Sequence, residues 1–268
     1  MELTRTSSRL ADTVGVVTGA SRGIGAAIAR RLASEGATVV LAARTVNQAD
    51  SQFQGTLGDT AREIENAGGR AVVVPTDLSH AADRQNLVTA AEKEVGPIDM
   101  LVNNAAVTFF EPIEDFDLKR YDLMFEVQVK APVHLSQLTL PGMRRRGRGS
   151  ILNISSGAAR HPRLPDGSRR RLSGGTIYGM CKAALERFST GLAAEVYDDG
   201  ISVNALSPAR VVPTAGTVFH KLVRPDTPDQ YVEPPEVMAQ AALEILSAAP
   251  LAITGRVVTS AALLDEIG

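Results

Sequence analysis

"VTGASRGIG", residues 17–25, sets three glycines and one arginine between two apolar runs. Upstream, Val14-Gly15-Val16-Val17 is a β-branched run that reads as a buried strand. Downstream, Ile24, Ile28 and Leu32 recur every fourth residue, and Gly36 marks a stop. The stretch therefore predicts strand, glycine turn and helix. Such a turn aims backbone N–H groups and the positive end of a helix dipole at one point, which suits a phosphate. The spacing Gly19-x-x-x-Gly23-x-Gly25 is not the common dinucleotide fingerprint. It is not a Walker pattern either, because no Gly-Lys-Ser/Thr follows. Taken alone, it also reads as a tight turn whose glycines tolerate positive φ.

The alternation continues to the C-terminus. Strands are predicted at Val14–Thr18, Thr38–Ala42, Ala71–Pro75, Met100–Asn103, Ser150–Ile154, Ser202–Leu206 and Arg256–Thr259. Helical periods lie between them, near residues 24–35, 58–67, 82–94, 118–145, 177–197 and 235–247. Several strands are nearly all apolar, as in a sheet covered on both faces. The fold class is α/β: a doubly wound parallel sheet of about seven strands with helices on both faces. Ligands of such sheets bind at the carboxyl ends of the strands, where the glycine turn, Asp77, Asn104 and Ser156 all fall. Three stretches break the rhythm: residues 45–58, 157–176 and 207–234. Loops of that length in a compact domain are usually functional or mobile.

Composition removes several classes of function. The 268 residues suit one large domain. Its boundaries are expected at 13–268, after a polar N-terminal extension at 1–12 that lacks the apolar stretch of a signal peptide. Lys and Arg number 28 against 30 Asp and Glu, for a net charge of −2, and aromatics make up only 4%. Neither a basic field nor stacking platforms favour nucleic acid. No apolar run approaches a bilayer span, so no membrane is expected. Cys181 is the single cysteine, which points to a reducing cytoplasm. The histidines, His80, His134, His161 and His220, have no metal-ligand spacing, so no metal is expected.

Tyr178 and Lys182 stand four apart in "YGMCKAALERF" and share one helix face. They follow a strand that ends Leu152-Asn153-Ile154-Ser155-Ser156. In this the sequence resembles the classical short-chain dehydrogenase/reductase family. The matching residues, in order, are Thr18 to Gly25, Asn103-Asn104-Ala105, Ser156, Tyr178 with Lys182, and Asn204. The resemblance runs from about residue 13 to the C-terminus. It implies a single Rossmann-type domain binding NAD(P)(H), a small-molecule carbonyl or alcohol substrate, and a homodimer or homotetramer.

The family's roles carry over residue by residue. Tyr178 is the implied acid/base. Lys182 is implied to lower the Tyr178 pKa and bind the nicotinamide ribose, and Ser156 to hydrogen-bond the substrate oxygen. A tyrosine near pKa 10 must drop about 3 units to work near neutrality, roughly 4 kcal/mol. An ammonium about 4–5 Å away supplies ~3–4 kcal/mol at an effective dielectric near 20. The 19–25 turn, with Gly19, Ser21, Arg22, Gly23 and Ile24, is implied to cradle the cofactor phosphates. Asp77 and Leu78 are the implied adenine contacts, and Asn104 and Ala105 also face the cofactor. An NAD enzyme would place an acid after the second strand, but this chain has Ala43-Arg44. Arg22 and Arg44 together suit a 2′-phosphate, which favours NADP(H) over NAD(H).

There are departures from the family pattern. Its fourth catalytic position, an asparagine, is Gln128 here, one methylene longer. Pro-Gly after the sixth strand is Pro208-Ala209, and Val211 to Thr214 is offset by one residue, so either Val211 or Val212 could hold the carboxamide. A sensor or scaffold of the same fold with impaired turnover is the alternative, supported by Gln128 alone. The 157–176 loop is expected at the substrate entrance, with an arginine of Arg169, Arg170 and Arg171 available to an anionic group.

Overall fold

The computed structural model describes residues 8–48, 53–162 and 174–268. The strands are β1 Val14–Thr18, β2 Thr38–Ala43, β3 Arg70–Pro75, β4 Met100–Asn103, β5 Gly149–Ile154, β6 Ile201–Ser207 and β7 Val257–Thr259. They form one parallel sheet in the order β3-β2-β1-β4-β5-β6-β7. The order turns back on itself between β1 and β4, and that crevice is where ligands of doubly wound sheets sit.

Successive side chains on a strand point to opposite faces, so β1 divides the core. Val17, Leu41, Val102 and Leu152 face one layer, which holds α1 (Gly23–Ser34) and α8 (Pro235–Leu246). Val16, Val40, Leu101 and Ile151 face the other. That layer is built from α3 (Ala81–Val95), α5 (Ala131–Arg146) and α6 (Thr176–Glu195). Both layers are buried, which accounts for strands without polar alternation. The chain before β1 is tied down as well: Leu10 is buried, its N–H donates to Glu35 O at 2.9 Å, and Arg9 forks onto Glu244 at 2.8 and 2.6 Å.

Other elements bear on the site. α2 (Leu57–Asn66) opens with a capping box, in which Thr56 Oγ1 accepts from Asp59 N and Asp59 Oδ2 accepts from Thr56 N. The single helix expected over 118–145 is instead α4 (Leu118–Phe125), a π-helical turn at Glu126–Lys130, and α5. Pro132, in the first turn of α5, has no N–H to give Gln128 O, and a turn that loses that bond can widen. The short helix α7 (Ala215–Phe219) lies in the long stretch after β6, and α9 (Ser260–Ile267), which no sequence period announced, follows β7. The arginines ending α5 do more than face water: Arg144 pairs with Asp199, and Arg146 donates to Ile98 O at 2.5 Å. Among the described residues, no helix is long and apolar enough to cross a membrane.

Candidate active site

The turn after β1 is shaped by close backbone approaches. Gly19 has φ +67°, and a Cβ there would lie 2.8 Å from Asn104 Nδ2 and 2.9 Å from Ala105 Cα. A Cβ at Gly25 would be 2.4 Å from Gly19 O. Thr18 Oγ1 accepts from the N–H groups of Asn104 (3.0 Å) and Ala105 (3.1 Å), and Asn104 Nδ2 donates to Thr18 O at 2.9 Å. Thr60 Oγ1 holds Ala20 O at 3.0 Å. These bonds fix the turn against the start of the β4–α4 connection. α1 begins with Arg22 as an extended N-cap that makes no side-chain capping bond. A cradle too tight for side chains, at the start of a helix, fits the phosphates of a dinucleotide.

The carboxyl ends of β2 and β3, beside the cradle, gather charge. Arg22 Nε donates to the buried Ser21 Oγ at 3.4 Å, and Ile24 packs against the core behind the turn. Burial, and then the nearby charge of Arg44, hold the Arg22 guanidinium below its ordinary pKa. Two cations within reach of each other make a place for an anion. The sequence shows no carboxylate near this pair, but the fold brings one. Burial works to raise the Asp77 carboxyl, yet hydrogen bonds from Ser79 and the charges of Arg44 and His80 bring it below its usual value. Leu78 is buried, and its carbonyl accepts from Arg84 at 2.7 Å. Arg84, itself 1% exposed, also binds Glu126 Oε1 (2.7 Å) and His134 Nδ1 (3.1 Å).

At the other end of the crevice, the structure brings Ser156, Tyr178 and Lys182 together. Ser156 leaves β5 and caps the short turn Gly157–Ala159, its Oγ accepting from Ala158 N at 3.2 Å. α6 carries Tyr178 and Lys182 one turn apart. The Ser156 turn can lie on α6 because position 179 has no side chain: a Cβ on Gly179 would sit 2.7 Å from Ala158 O. Lys182 is buried, donates from Nζ to Ile154 O at 2.9 Å, and lies 5.7 Å from the Tyr178 ring centre.

The electrostatics differ from the expectation of a depressed tyrosine. Burial pushes the Tyr178 hydroxyl above its usual pKa, and a hydrogen bond with Ser156 offsets only part of that. Burial also pulls Lys182 down to about 8. The ammonium is itself stripped of water, so loss of hydration outweighs attraction at both groups. Cys181 is fully buried, and burial raises its thiol to about 11, as suits a packing residue and not a nucleophile. Gln128 sits in the π-helical turn, 1% exposed, with Nε2 donating to Val107 O at 2.8 Å. Its Oε1 is buried and accepts no hydrogen bond from the described residues.

After β6, both backbone groups of Val211 are paired, N–H to Tyr231 O and C=O from Glu233 N, while Val212 is buried. Thr214 caps α7, and its Cγ2 approaches Gly23. Arg169, Arg170 and Arg171 lie outside the described residues, as do Pro165 and Gly167. Sequence reasoning missed an aromatic row beside Tyr178. The Phe110 ring meets Tyr178 at 5.6 Å and His220 at 4.9 Å, and Phe219 meets His220 at 5.1 Å and Phe53 at 5.4 Å. The adjacent aromatics in "TFFEP" were a visible signal, but no period links positions 53, 110 and 220.

A doubly wound sheet with a glycine cradle at its switch point defines the class of dinucleotide-binding α/β proteins. A family model described as short chain dehydrogenase matches residues 13–219, and the chain belongs to the short-chain dehydrogenase/reductase family. It is thus an oxidoreductase built on a fold that binds nicotinamide dinucleotide. It is 32% identical over 210 residues to a ketoacyl reductase of Nostoc sp., covering 78% of this chain and 67% of that protein. A metagenomic short-chain oxidoreductase solved in complex with NADP superposes with a TM-score of 0.76 at 32% identity, covering 94% and 98% of the two chains. L-sorbose reductase from Gluconobacter frateurii, complexed with NADPH and L-sorbose, gives 0.79 at 29% identity, covering 95% and 97%.

Proposed function

We propose that the protein is an NADP(H)-dependent oxidoreductase that interconverts a carbonyl and a secondary alcohol, with Tyr178 as its acid/base. The observation that carries this reading is the meeting of Ser156, Tyr178 and Lys182 at the carboxyl end of the sheet, beside the glycine cradle. Gly19, Ser21, Arg22, Gly23 and Ile24 would hold the phosphates, and Asp77 and Leu78 the adenine side. Asn104 and Ala105 flank the cradle, and Tyr178 and Lys182 would hold the nicotinamide ribose. The segment from Val211 to Thr214 would hold the carboxamide. When bound there, the cofactor would supply hydride chemistry for the substrate carbon.

The chain's own residues manage the oxygen. Ser156 donates a hydrogen bond to it as negative charge develops. Tyr178 then delivers its proton to the alkoxide. Because burial raises the Tyr178 pKa, the hydroxyl keeps its proton at neutral pH, as a donor in reduction requires. Lys182, with a pKa near 8, is mostly cationic there and stabilises the tyrosinate left behind. Gln128 braces the Val107 backbone through its amide, two residues beyond the chain that contacts the cradle.

Preference for the phosphorylated cofactor rests on Arg22 and Arg44, and cofactor-bound neighbours containing NADP or NADPH support it. The test is titration of NADPH and NADH, followed by turnover on a carbonyl library. NADPH is expected to bind at least about tenfold tighter, worth ~1.4 kcal/mol. Equal affinities, or a preference for NADH, would sink the arginine argument.

A further inference from the structure

We propose that Phe110 and His220 form a specificity wall beside Tyr178, one that selects a carbonyl substrate whose larger substituent is a flat apolar ring. The inference rests on Tyr178 being the group that meets the substrate oxygen, and it deepens that reading by naming the substrate class.

The wall is assembled from two separate stretches and set against α6. The Phe110 ring stands edge-on to the Tyr178 ring, with centres 5.6 Å apart and planes at 68°. The His220 imidazole stands edge-on to Phe110 at 4.9 Å and 83°. Phe219, at the end of α7, continues the row at 5.1 Å from His220. A substituent on a carbon whose oxygen reaches Tyr178 would therefore extend beside Phe110 on that side. Rings packed edge to face prefer another ring or an apolar group against them.

One ring nitrogen of the wall's imidazole is already engaged. His220 Nε2 lies 3.0 Å from Thr108 Oγ1. Burial holds the imidazole below its ordinary pKa, so the ring stays neutral near pH 7. A polyhydroxylated substituent placed here would trade water for ring faces and leave hydroxyls without partners. An aryl group loses nothing by the same exchange. The neighbouring surface agrees: Val218, Phe219 and Leu222 are 55%, 58% and 48% exposed on and just after α7.

The wall is also held in place. Gly174 has φ +67°, and a Cβ there would lie 2.4 Å from Glu111 N, so the chain entering α6 is seated directly on the backbone after Phe110. Thr217 Oγ1 donates to Val212 O at 2.7 Å, tying α7 to a buried residue. Phe110 and His220 thus project from segments braced on two sides, a condition for discriminating between substrates.

The experiment uses the full-length protein with NADPH and three probes: acetophenone, 2-butanone and a ketohexose. The wild type is expected to show a kcat/KM for acetophenone at least tenfold above the other two. Phe110→Ala should cut the acetophenone-to-butanone ratio about tenfold, chiefly through KM, while NADPH Kd moves less than twofold. His220→Gln keeps a hydrogen-bonding group for Thr108 but removes the ring, and should lower the same ratio. If Phe110→Ala fails to fold, His220→Gln and Phe110→Leu carry the test. Ratios that stay constant across the variants, or a wild type that favours the ketohexose, overturn the wall. Tyr178→Phe separates the two readings: if it abolishes turnover of whichever probe is used, Tyr178 stands even where the wall does not. A wild type that binds NADPH yet reduces no probe counts against both.

Discussion

At the cradle between β1 and α1, shape is held by backbone and by short side chains within reach of it. Thr18 Oγ1 takes two N–H groups, Asn104 Nδ2 reaches Thr18 O, and Gly25 admits no Cβ. Beside Tyr178, the row is made by long side chains from distant stretches: Phe53, Phe110, Phe219 and His220 meet through their ring edges. In the proposed function the first region would recognise what is constant in the ligand, phosphates and ribose, and backbone N–H groups do that for any side chain nearby. The second would face what varies between substrates. Side-chain walls can be changed there without disturbing the sheet.

If that division holds, Tyr178→Phe is the largest single effect. It should lower turnover by about 10²–10⁴-fold, the usual reach of a positioned acid/base, with NADPH affinity unchanged in a fluorescence titration. Near-normal reduction by the variant would mean that another group gives the proton.

Lys182, beside Tyr178, carries a pH signature. Its folded pKa of about 8 lies below the ordinary 10.5, so between those values the unfolded chain binds a proton that the folded chain has released. Stability attributable to this group therefore rises with pH across that window, by up to about 3 kcal/mol. The difference in unfolding free energy between the wild type and Lys182→Met, followed by urea titration from pH 7 to 10.5, should show that rise. A flat difference would mean that the ammonium is not desolvated.

Gly25→Ala probes the cradle. With a Cβ 2.4 Å from Gly19 O, the variant should lose about 1–3 kcal/mol in thermal or urea unfolding and bind NADPH more weakly. An unchanged Tm would show that the turn relaxes easily. Arg44→Ala should have the smallest effect: NADPH affinity falls about tenfold, ~1.4 kcal/mol, with NADH affinity little changed. Equal losses for both cofactors would place Arg44 away from the 2′-phosphate.

The sheet was legible because its signals are local. Nearly apolar runs such as Val14–Val17 and Val39–Leu41 can only be buried on both faces, and glycines at 19, 23 and 25 mark a backbone turn. Tyr178 and Lys182 were legible because helix period alone puts them on one face. The break at Glu126–Lys130 was not, since Pro132 acts through a bond lost one turn earlier. The aromatic row was invisible for the same kind of reason: nothing in the sequence near Phe110 reports that His220 will arrive beside it.

The sequence by itself determined the alternation of strands and helices, the turn after β1, and the residue types at Ser156, Tyr178, Lys182, Arg22 and Arg44, because these depend on periodicity and on neighbours a few positions apart. Only the tertiary structure decided how those groups are charged and what surrounds them. The burial of these polar groups, which no apolar run announces, raises Tyr178 and lowers Lys182 to about 8, and the packing of the fold sets Asp77 within reach of Arg44. The protonation of a group depends on how much water and charge lie around it in space, and that is fixed when separate elements such as α6 and the chain after β5, or the ends of β2 and β3, come into contact.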